Sequence, residues 1–120
     1  MALGDKLRQI RLEKGINQET IAHQLGQATN SYISAVENNQ KYPSEGKLRV
    51  WAEALGLSWE QMEDLILEAK LEQLGITDPT FTVMFKDIPK MTAEEKRSII
   101  RAYEAVRRSR EAKARFKKEK

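Results

Sequence analysis

The stretch NQETIAHQLGQATNSYISAVENN, residues 17–39, decides the fold because it contains the start and stop signals of two short helices. Asn17 is a good N-cap for the first helix, and Gly26 can end it because glycine adopts the left-handed conformation without a steric penalty. Thr29 is predicted to cap the second helix, and Asn39 to end it in the same left-handed conformation. The stretch therefore predicts two helices joined by a tight turn.

Each of these two helices has an apolar side. The apolar residues, at helical spacing, are Ile21, Ala22 and Leu25 in the first helix and Tyr32, Ile33 and Val36 in the second. The residues of the second helix that lie off this stripe are small or carry an amide, and they are Asn30, Ser31, Ser34 and Ala35. A helix with such an outer face can enter a DNA major groove and present hydrogen-bonding groups to base edges.

These residues, with others in the same order, resemble the helix-turn-helix of the Cro/phage-repressor (XRE) family. The matching segments are Leu7-x-x-Ile10-Arg11, Asn17-Gln18-Glu19, Ile21-Ala22, Leu25-Gly26, Tyr32-Ile33-Ser34, Val36-Glu37-Asn38, Pro43-Ser44 and Ala54-Leu55-Gly56. The resemblance covers roughly residues 3–67. This chain departs from the family pattern in two places, since the turn after Gly26 is one residue longer and Asn39 stands where the family usually has glycine.

The resemblance implies an all-α fold, with a five-helix lambda-repressor-like DNA-binding domain at residues 1–75 and a helical extension at residues 76–120. It makes the second helix the recognition helix, whose candidates for base contacts are Asn30, Ser31, Ser34 and Ala35. Asparagine can pair with adenine through two hydrogen bonds, serine with several base edges, and alanine with a thymine methyl group. The candidates for phosphate contacts are Asn17, Gln18, Asn38, Gln40, Lys41 and Tyr42. Gln18 is also placed to brace the recognition helix.

The resemblance also implies a structural ion pair. In the family, an arginine at the position of Arg11 pairs with the glutamate that ends the recognition helix, which here is Glu37. A partly buried guanidinium needs a carboxylate, and a pair with two hydrogen bonds fixes one helix against another. The alternative is that Arg11 faces solvent.

Charge is distributed unevenly along the chain, whose formal net charge is +3. Residues 1–75 contain eight Lys+Arg against eleven Asp+Glu, a net charge of −3. Residues 101–120 contain nine Lys+Arg against three Glu, a net charge of +6. Because neutralisation of phosphates supplies most non-specific DNA affinity, the acidic DNA-binding domain argues against a simple, strong operator binder.

Two further helices are predicted after the recognition helix. Ser44 is placed to cap the helix that follows the recognition helix, which is the fourth helix of the predicted five-helix domain. Ser58 and Gln61 have the spacing of a capping box, which opens a longer fifth helix that stops at Gly75. The outer side of this fifth helix is acidic, and a solvated acidic surface is the simplest interpretation.

The first helix of the extension is predicted to begin at Asp78-Pro79, an N-cap followed by proline at the first helical position. Thr92 and Glu95 form a capping box for the last helix, whose apolar residues are Ile99, Ile100, Tyr103 and Val106. Beyond Arg107 the only large apolar residue is Phe116, and the end of the chain, REAKARFKKEK at residues 110–120, is predicted to be either a frayed helix or a disordered basic tail. A segment this small cannot bury enough surface alone, so it must pack on the DNA-binding domain, on a partner chain, or on both. It also resembles the dimer-forming extension of many repressors of this family, which makes it a predicted dimerisation segment.

Several chemical functions have no support in the sequence. The chain has no cysteine, a single histidine at His23, no glycine-rich phosphate loop, and no paired carboxylates in an apolar setting. We therefore expect no enzymatic activity, no metal and no cofactor. The chain contains neither a membrane-length apolar run nor the apolar segment of a signal peptide, so we expect a cytoplasmic location and no membrane partner.

Together these features predict a sequence-specific DNA-binding transcriptional regulator, a repressor that binds a palindromic operator in double-stranded DNA as a homodimer. The alternative is a helix-turn-helix module that binds a protein, such as the antitoxin of a toxin–antitoxin pair. The acidic DNA-binding domain and the separate extension would suit that alternative, with the extension as the surface for a protein partner.

Overall fold

The computed structural model describes residues 1–119, and all the regular structure in them is helical, which confirms the predicted all-α class. The helices are α1 (Leu3–Glu13), α2 (Gln18–Gln24), α3 (Ser31–Glu37), α4 (Glu45–Ala54), α5 (Trp59–Gln73), α6 (Pro79–Asp87) and α7 (Ala93–Glu119), with a short 3-10 helix at Ile88–Lys90. By internal packing the chain divides into a first unit, Met1–Thr82, and a second unit that starts at Val83. The border lies within α6, whereas the sequence places it after residue 75, and that earlier border stays a prediction.

The first unit encloses an apolar core to which α1 to α5 all contribute. Its largest fully buried side chains are Trp51, Leu7, Ile21, Ile33, Leu55, Met62 and Val36. Helix α3 packs on α1 and α2, while α5 packs on α1 and α4. The inner side of α3 is therefore fixed by packing, and its polar side is left at the surface.

The predicted helix starts after α3 are confirmed. The hydroxyl of Ser44 accepts a hydrogen bond from the backbone N–H of Lys47 at 3.3 Å. Ser58 and Gln61 form the reciprocal capping box, with the Ser58 hydroxyl accepting from the Gln61 N–H at 3.1 Å and the Gln61 carbonyl oxygen accepting from the Ser58 N–H at 2.9 Å. Each bond satisfies a backbone donor that has no partner within the helix.

The turn before α3 differs from the prediction. Thr29 was expected to cap α3, but this is wrong: Asn30 occupies the N-cap position, and its side chain makes no capping hydrogen bond. The Thr29 hydroxyl lies 3.4 Å from the N–H of Ser31, which is only two residues further along the chain. The predicted ends are confirmed, since Gly26 has φ +72° and Asn39 has φ +61°.

Ion pairs fasten α1 to α5. The Lys6 ammonium lies 3.1 Å from Glu72 and 3.7 Å from Glu68, and the N-terminal amino group of Met1 also contacts Glu72. The hydrogen bonds from the Met1 amino group and then from Lys6 lower the pKa of Glu72. Two of the acidic residues of α5 are therefore neutralised by the first helix.

The second unit contains the end of α6, the 3-10 helix and the 27-residue α7. Thr92 and Glu95 form the predicted capping box, with bonds of 3.0 and 3.1 Å. Of the two alternatives for the basic tail, the structure has the helical one, because α7 continues to Glu119. No side chain described in this unit, from residue 83 to residue 117, is buried. This unit therefore has no core of its own.

Candidate nucleic-acid interface

The interface is built on α2, whose start is fixed by Asn17. The Asn17 carbonyl oxygen accepts hydrogen bonds from the backbone N–H and the hydroxyl of Thr20, at 2.9 and 2.7 Å. Its carbonyl group is therefore committed to capping, and its exposed amide nitrogen is the part that could donate to a phosphate.

The structure brings together Arg11 and Glu37. The Arg11 Nε and Nη2 groups donate to the two carboxylate oxygens of Glu37 at 2.7 and 3.0 Å, and Nη1 donates to the carbonyl oxygen of Ile16 at 2.9 Å. Only 8% of Arg11 and 3% of Glu37 is exposed. The hydrogen bond to Glu37 raises the pKa of Arg11 above its ordinary value. The pair thus ties α1 to the end of α3 through charge-assisted bonds in a buried position.

Gln18 extends this pair into a network that spans α2 and α3. Its amide nitrogen donates to Glu37 at 3.0 Å. Its carbonyl oxygen accepts from the Asn30 amide and from the Ser34 hydroxyl, both at 3.0 Å. We call Arg11, Glu37, Gln18, Asn30 and Ser34 the α2–α3 network. Gln18 contacts both ends of α3, so it braces that helix as the sequence suggested.

The network affects how Asn30 could read a base. Besides Gln18, the Asn30 amide nitrogen donates to Glu19 at 3.1 Å, so both of its N–H groups are used. Pairing with adenine needs one amide N–H and the carbonyl oxygen. Asn30 would therefore have to exchange one of its internal hydrogen bonds for the bond to the base.

The other three candidates for base contacts are placed differently. Ser31 is exposed, and its hydroxyl is held by the Thr29 hydroxyl at 3.1 Å. Ser34 and Ala35 are half-buried. Ser34 donates into the network but keeps its oxygen as an acceptor, and Ala35 offers only a methyl group. The outer side of α3 thus combines two fixed polar side chains, Asn30 and Ser34, with a freer one, Ser31.

The remaining candidates for phosphate contacts follow α3 directly. Asn38, Gln40, Lys41 and Tyr42 are all exposed, and Tyr42 has 63% of its surface accessible. They lie in or next to the segment between α3 and α4, so they could contact the DNA backbone beside the recognition helix.

Sequence reasoning missed two residues of this surface, Glu19 and Lys47. The carboxylate of Glu19 holds Asn30, and the ammonium group of Lys47 lies 4.4 Å from the centre of the Tyr32 ring. Lys41 approaches the same ring at 5.7 Å. The sequence feature that could have identified Lys47 is its position in the first turn of the helix that Ser44 caps. Two cations therefore lie beside the Tyr32 ring of α3.

The described residues contain no group of His, Cys, Asp or Glu side chains arranged to hold a metal ion. A search of the same residues for a helix that is long and apolar enough to cross a membrane found none.

Residues 7–62 match a protein-family model whose description is Helix-turn-helix. The matched segment runs from α1 into α5 and contains every residue of the α2–α3 network. No curated protein sequence and no solved structure matches the chain significantly.

Proposed function

Since residues 7–62 form an XRE/Cro-type helix-turn-helix domain, the domain of DNA-binding regulators, we propose that the protein is a repressor. It binds a two-fold-related operator sequence as a homodimer, with α3 of each copy in the major groove. The observation that supports this proposal most is the α2–α3 network, because its hydrogen bonds hold the polar side chains on the outer side of α3 in place.

We assign recognition of the DNA base sequence to the outer side of α3. Asn30, Ser31, Ser34 and Ala35 contact base edges, with Asn30 released from Glu19 when it pairs with a base. The network supports this role because the hydrogen bonds of Asn30 and Ser34 to Gln18 hold their side chains in defined positions before DNA arrives. Such preorganisation reduces the side-chain ordering that binding would otherwise require.

We assign contacts with the DNA phosphate backbone to the residues around α3. Asn17 and Gln18 approach a phosphate from the start of α2, while Asn38, Gln40, Lys41 and Tyr42 approach from the segment after α3. Lys47 joins them, because its ammonium group lies beside Tyr32. These contacts position the protein and carry no sequence information.

The short length of α3 supports the dimer. A helix of seven residues spans about 10 Å and reaches only a few base pairs. Two copies bound about one helical turn apart would gain both affinity and a fixed register. The proposed dimerisation segment is residues 78–106, because their apolar side chains are exposed in the second unit and need a partner. Residues 107–120 are proposed to stay mostly solvated.

Selection from a library of random DNA duplexes tests the proposal. The enriched sequences should contain two inverted half-sites whose centres lie about 10 base pairs, or a multiple of this, apart. Enrichment of a single asymmetric site would contradict the homodimer, and the absence of any enriched sequence would contradict the DNA-reading function.

A protein-binding function remains the second candidate, because Val83, Ile100, Tyr103 and Val106 are all more than half exposed. The protein would then act as an antitoxin, with the second unit covering its toxin. Co-expression with the product of an adjacent reading frame should yield a stable complex that is lost when residues 76–120 are removed. A complex that survives this removal would exclude the extension as the binding surface.

A further inference from the structure

A cleft of about 270 Å³ opens on the first unit where three segments of the chain meet. These segments are the start of α1, the chain between α3 and α4, and the second half of α5. We call it the α1–α5 cleft, and its lining includes Leu3, Asn39, Tyr42, Ala69 and Lys70. Its volume lies slightly below the range of about 300–1,000 Å³ that is usual for drug-sized ligands, so it suits a smaller molecule.

Part of the lining of the α1–α5 cleft is apolar. Leu3, Ile66 and Ala69 line it, and all three belong to the apolar core or pack against it. Because core side chains are closely packed, their positions are fixed before a ligand arrives. An apolar group that is seated against them leaves water, which is favourable.

The charged residues that line the cleft are both positive. Among the residues that the structure describes, Lys41 and Lys70 line it, whereas no Asp or Glu does. Neither lysine forms an ion pair with another described residue, although Lys6 and Arg11 of the same unit do. Two positive charges without a carboxylate partner favour an anion, even though the domain as a whole is acidic.

The carboxylates that are neighbours of lining residues in the sequence already have partners. Asp5 accepts hydrogen bonds from the N–H of Ala2 at 3.2 Å and from the amide of Asn39 at 3.1 Å. Glu72 accepts a hydrogen bond from the ammonium group of Lys6 at 3.1 Å. These two acids are therefore engaged elsewhere and do not neutralise the lysines of the cleft.

We propose that the α1–α5 cleft binds a small organic acid. Its apolar body lies against the core residues of the cleft, and its carboxylate or phosphate group lies beside Lys41 and Lys70. A lysine ammonium group is a compact charge on a flexible stem, so it can pair with either kind of group. The side-chain amides of Gln40 and Gln73, which also line the cleft, can donate hydrogen bonds to the same oxygen atoms.

A ligand in the cleft would act on DNA binding, because the two surfaces share residues. Gln40, Lys41 and Tyr42 line the cleft, and the proposed function assigns the same three to the DNA phosphate backbone. The ammonium group of Lys41 lies 5.7 Å from the centre of the Tyr32 ring on α3, and its flexible stem lets it turn to a ligand instead. The bound acid therefore competes with DNA phosphates for Lys41 and weakens operator binding. This second step rests on the proposed function, whereas binding of the acid does not.

Titration of the full chain with benzoate, in the absence of DNA, tests the site. Benzoate carries one carboxylate on an apolar ring, and benzamide has nearly the same shape without the charge. Benzoate should bind with a dissociation constant of about 1 mM, and benzamide at least about tenfold more weakly. The NMR signals of the backbone amides of Gly4, Asn39 and Ala69, one from each segment of the cleft, should shift together, whereas those of Gly26 and Gly56 should not.

Phenyl phosphate gives the same test with the other charged group. Saturable shifts of the cleft signals with either acid support the site. Equal binding of benzamide would overturn the assignment to an anion. The absence of shifts with both acids up to about 10 mM, roughly ten times the expected dissociation constant, would overturn the site itself.

Lys70→Gln tests the charge, because Lys70 is not among the residues assigned to DNA. It should weaken benzoate binding by about fivefold and leave benzamide binding unchanged. Arg8→Gln is the matched control, since it removes one positive charge from an exposed residue of α1 that does not line the cleft. It should leave the affinity for benzoate unchanged. Equal weakening by the two variants would mean that only the net charge of the protein matters, and would refute the site.

A gel shift with a duplex selected from the random library tests the effect on DNA. Sodium chloride replaces sodium benzoate in the control, because DNA binding depends strongly on ionic strength. Saturating benzoate should weaken operator binding by about tenfold, and Lys70→Gln should need about fivefold more benzoate for the same effect. Unchanged operator affinity with the cleft occupied would refute the competition for Lys41. If the library yields no enriched sequence, the proposed function fails, while the titration without DNA still decides the site.

Discussion

The two units of the chain are both helical, yet they are held by different interactions. The first unit buries side chains from all of α1 to α5 and includes the buried pair of Arg11 and Glu37. In the second unit no described side chain is buried, and the hydrogen bonds from Arg101 to Ser98 and from Arg107 to Glu111 join side chains within α7. The difference teaches that helical structure alone does not indicate where stability arises. The first unit is stabilised from within, whereas the second leaves its described apolar side chains unburied.

The largest expected effect is at Glu37. Glu37→Ala leaves the buried Arg11 guanidinium unpaired and should reduce the free energy of unfolding by about 3–5 kcal/mol. Urea denaturation, followed by the fluorescence of Trp51 and Trp59, measures the first unit. The combined change Arg11→Met with Glu37→Leu should recover part of the loss.

The matched control is Glu111→Ala in the second unit, which removes the exposed ion pair with Arg107. It should change the free energy of unfolding by less than about 0.5 kcal/mol. If both variants lowered the free energy of unfolding by the same small amount, the ion pair of Arg11 and Glu37 would contribute no more than the exposed pair. That result would contradict the difference between the two units.

Two glycines give the next effect. A Cβ atom on Gly4 would lie 2.1 Å from the carbonyl oxygen of Val36 and 2.4 Å from Oδ1 of Asn39, so Gly4→Ala must push α1 and α3 apart. We expect a loss of about 1–3 kcal/mol in the free energy of unfolding. Gly46→Ala is the control, because a Cβ atom there meets nothing within 4 Å, and it should stabilise α4 by about 0.5 kcal/mol. Two losses of similar size would show that α1 and α3 are not packed this closely.

Changes at the side chains that are proposed to contact DNA bases should separate function from stability. Asn30→Ala should lose about 1–3 kcal/mol of discrimination at one position in each half-site, while the unfolding curve barely changes. A gel-shift assay at fixed salt, with the selected duplex and its single-base variants, measures this. Wild-type binding by both Asn30→Ala and Ser31→Ala would remove these residues from the base-reading set.

Truncation tests what the extension, residues 76–120, contributes. A chain that ends at Gly75 should keep its fold, because the core lies in α1 to α5, but it should be a monomer with weak operator binding. Sedimentation at micromolar concentration measures the association. A fragment that remains dimeric there would refute the extension as the dimerisation segment.

Removing only residues 107–120 should leave the dimer intact. If these residues touch DNA, the slope of log affinity against log salt concentration should fall by about 0.9 for each phosphate contact that is lost. An unchanged slope would agree with a solvated tail, and loss of the dimer would place part of the dimer interface in it.

The smallest effect concerns pH. The hydrogen bond from the Thr92 N–H lowers the pKa of Glu95 below its usual value. A carboxylate with a lowered pKa stabilises the folded state above its unfolded pKa, and that stabilisation is lost as pH falls through the folded pKa. The start of α7 should therefore loosen slightly in acid. Carboxyl titration by NMR should give a pKa for Glu95 below the ordinary glutamate value, and Thr92→Ala, which removes the hydroxyl but keeps the backbone N–H, should raise this pKa only in part.

Local sequence signals determined much of the fold. The caps at Ser44, Ser58 and Thr92 and the left-handed residues Gly26 and Asn39 act within a few residues, so the sequence alone reveals them. The apolar spacing likewise identified the inner sides of α1 to α5. The family resemblance added Arg11 and Glu37, which the structure joins across 26 positions of the chain.

Only the tertiary structure decided the contacts between helices. The bonds of Asn30 to Gln18 and Glu19, and the position of Lys47 beside Tyr32, depend on the angle at which α2 and α4 meet α3. The wrong cap at Thr29 has the same origin, because an isolated segment offers several capping residues and packing of the turn selects one. Local periodicity fixes which side of a helix is buried, but the partners of its polar side chains are set by the packing of distant segments.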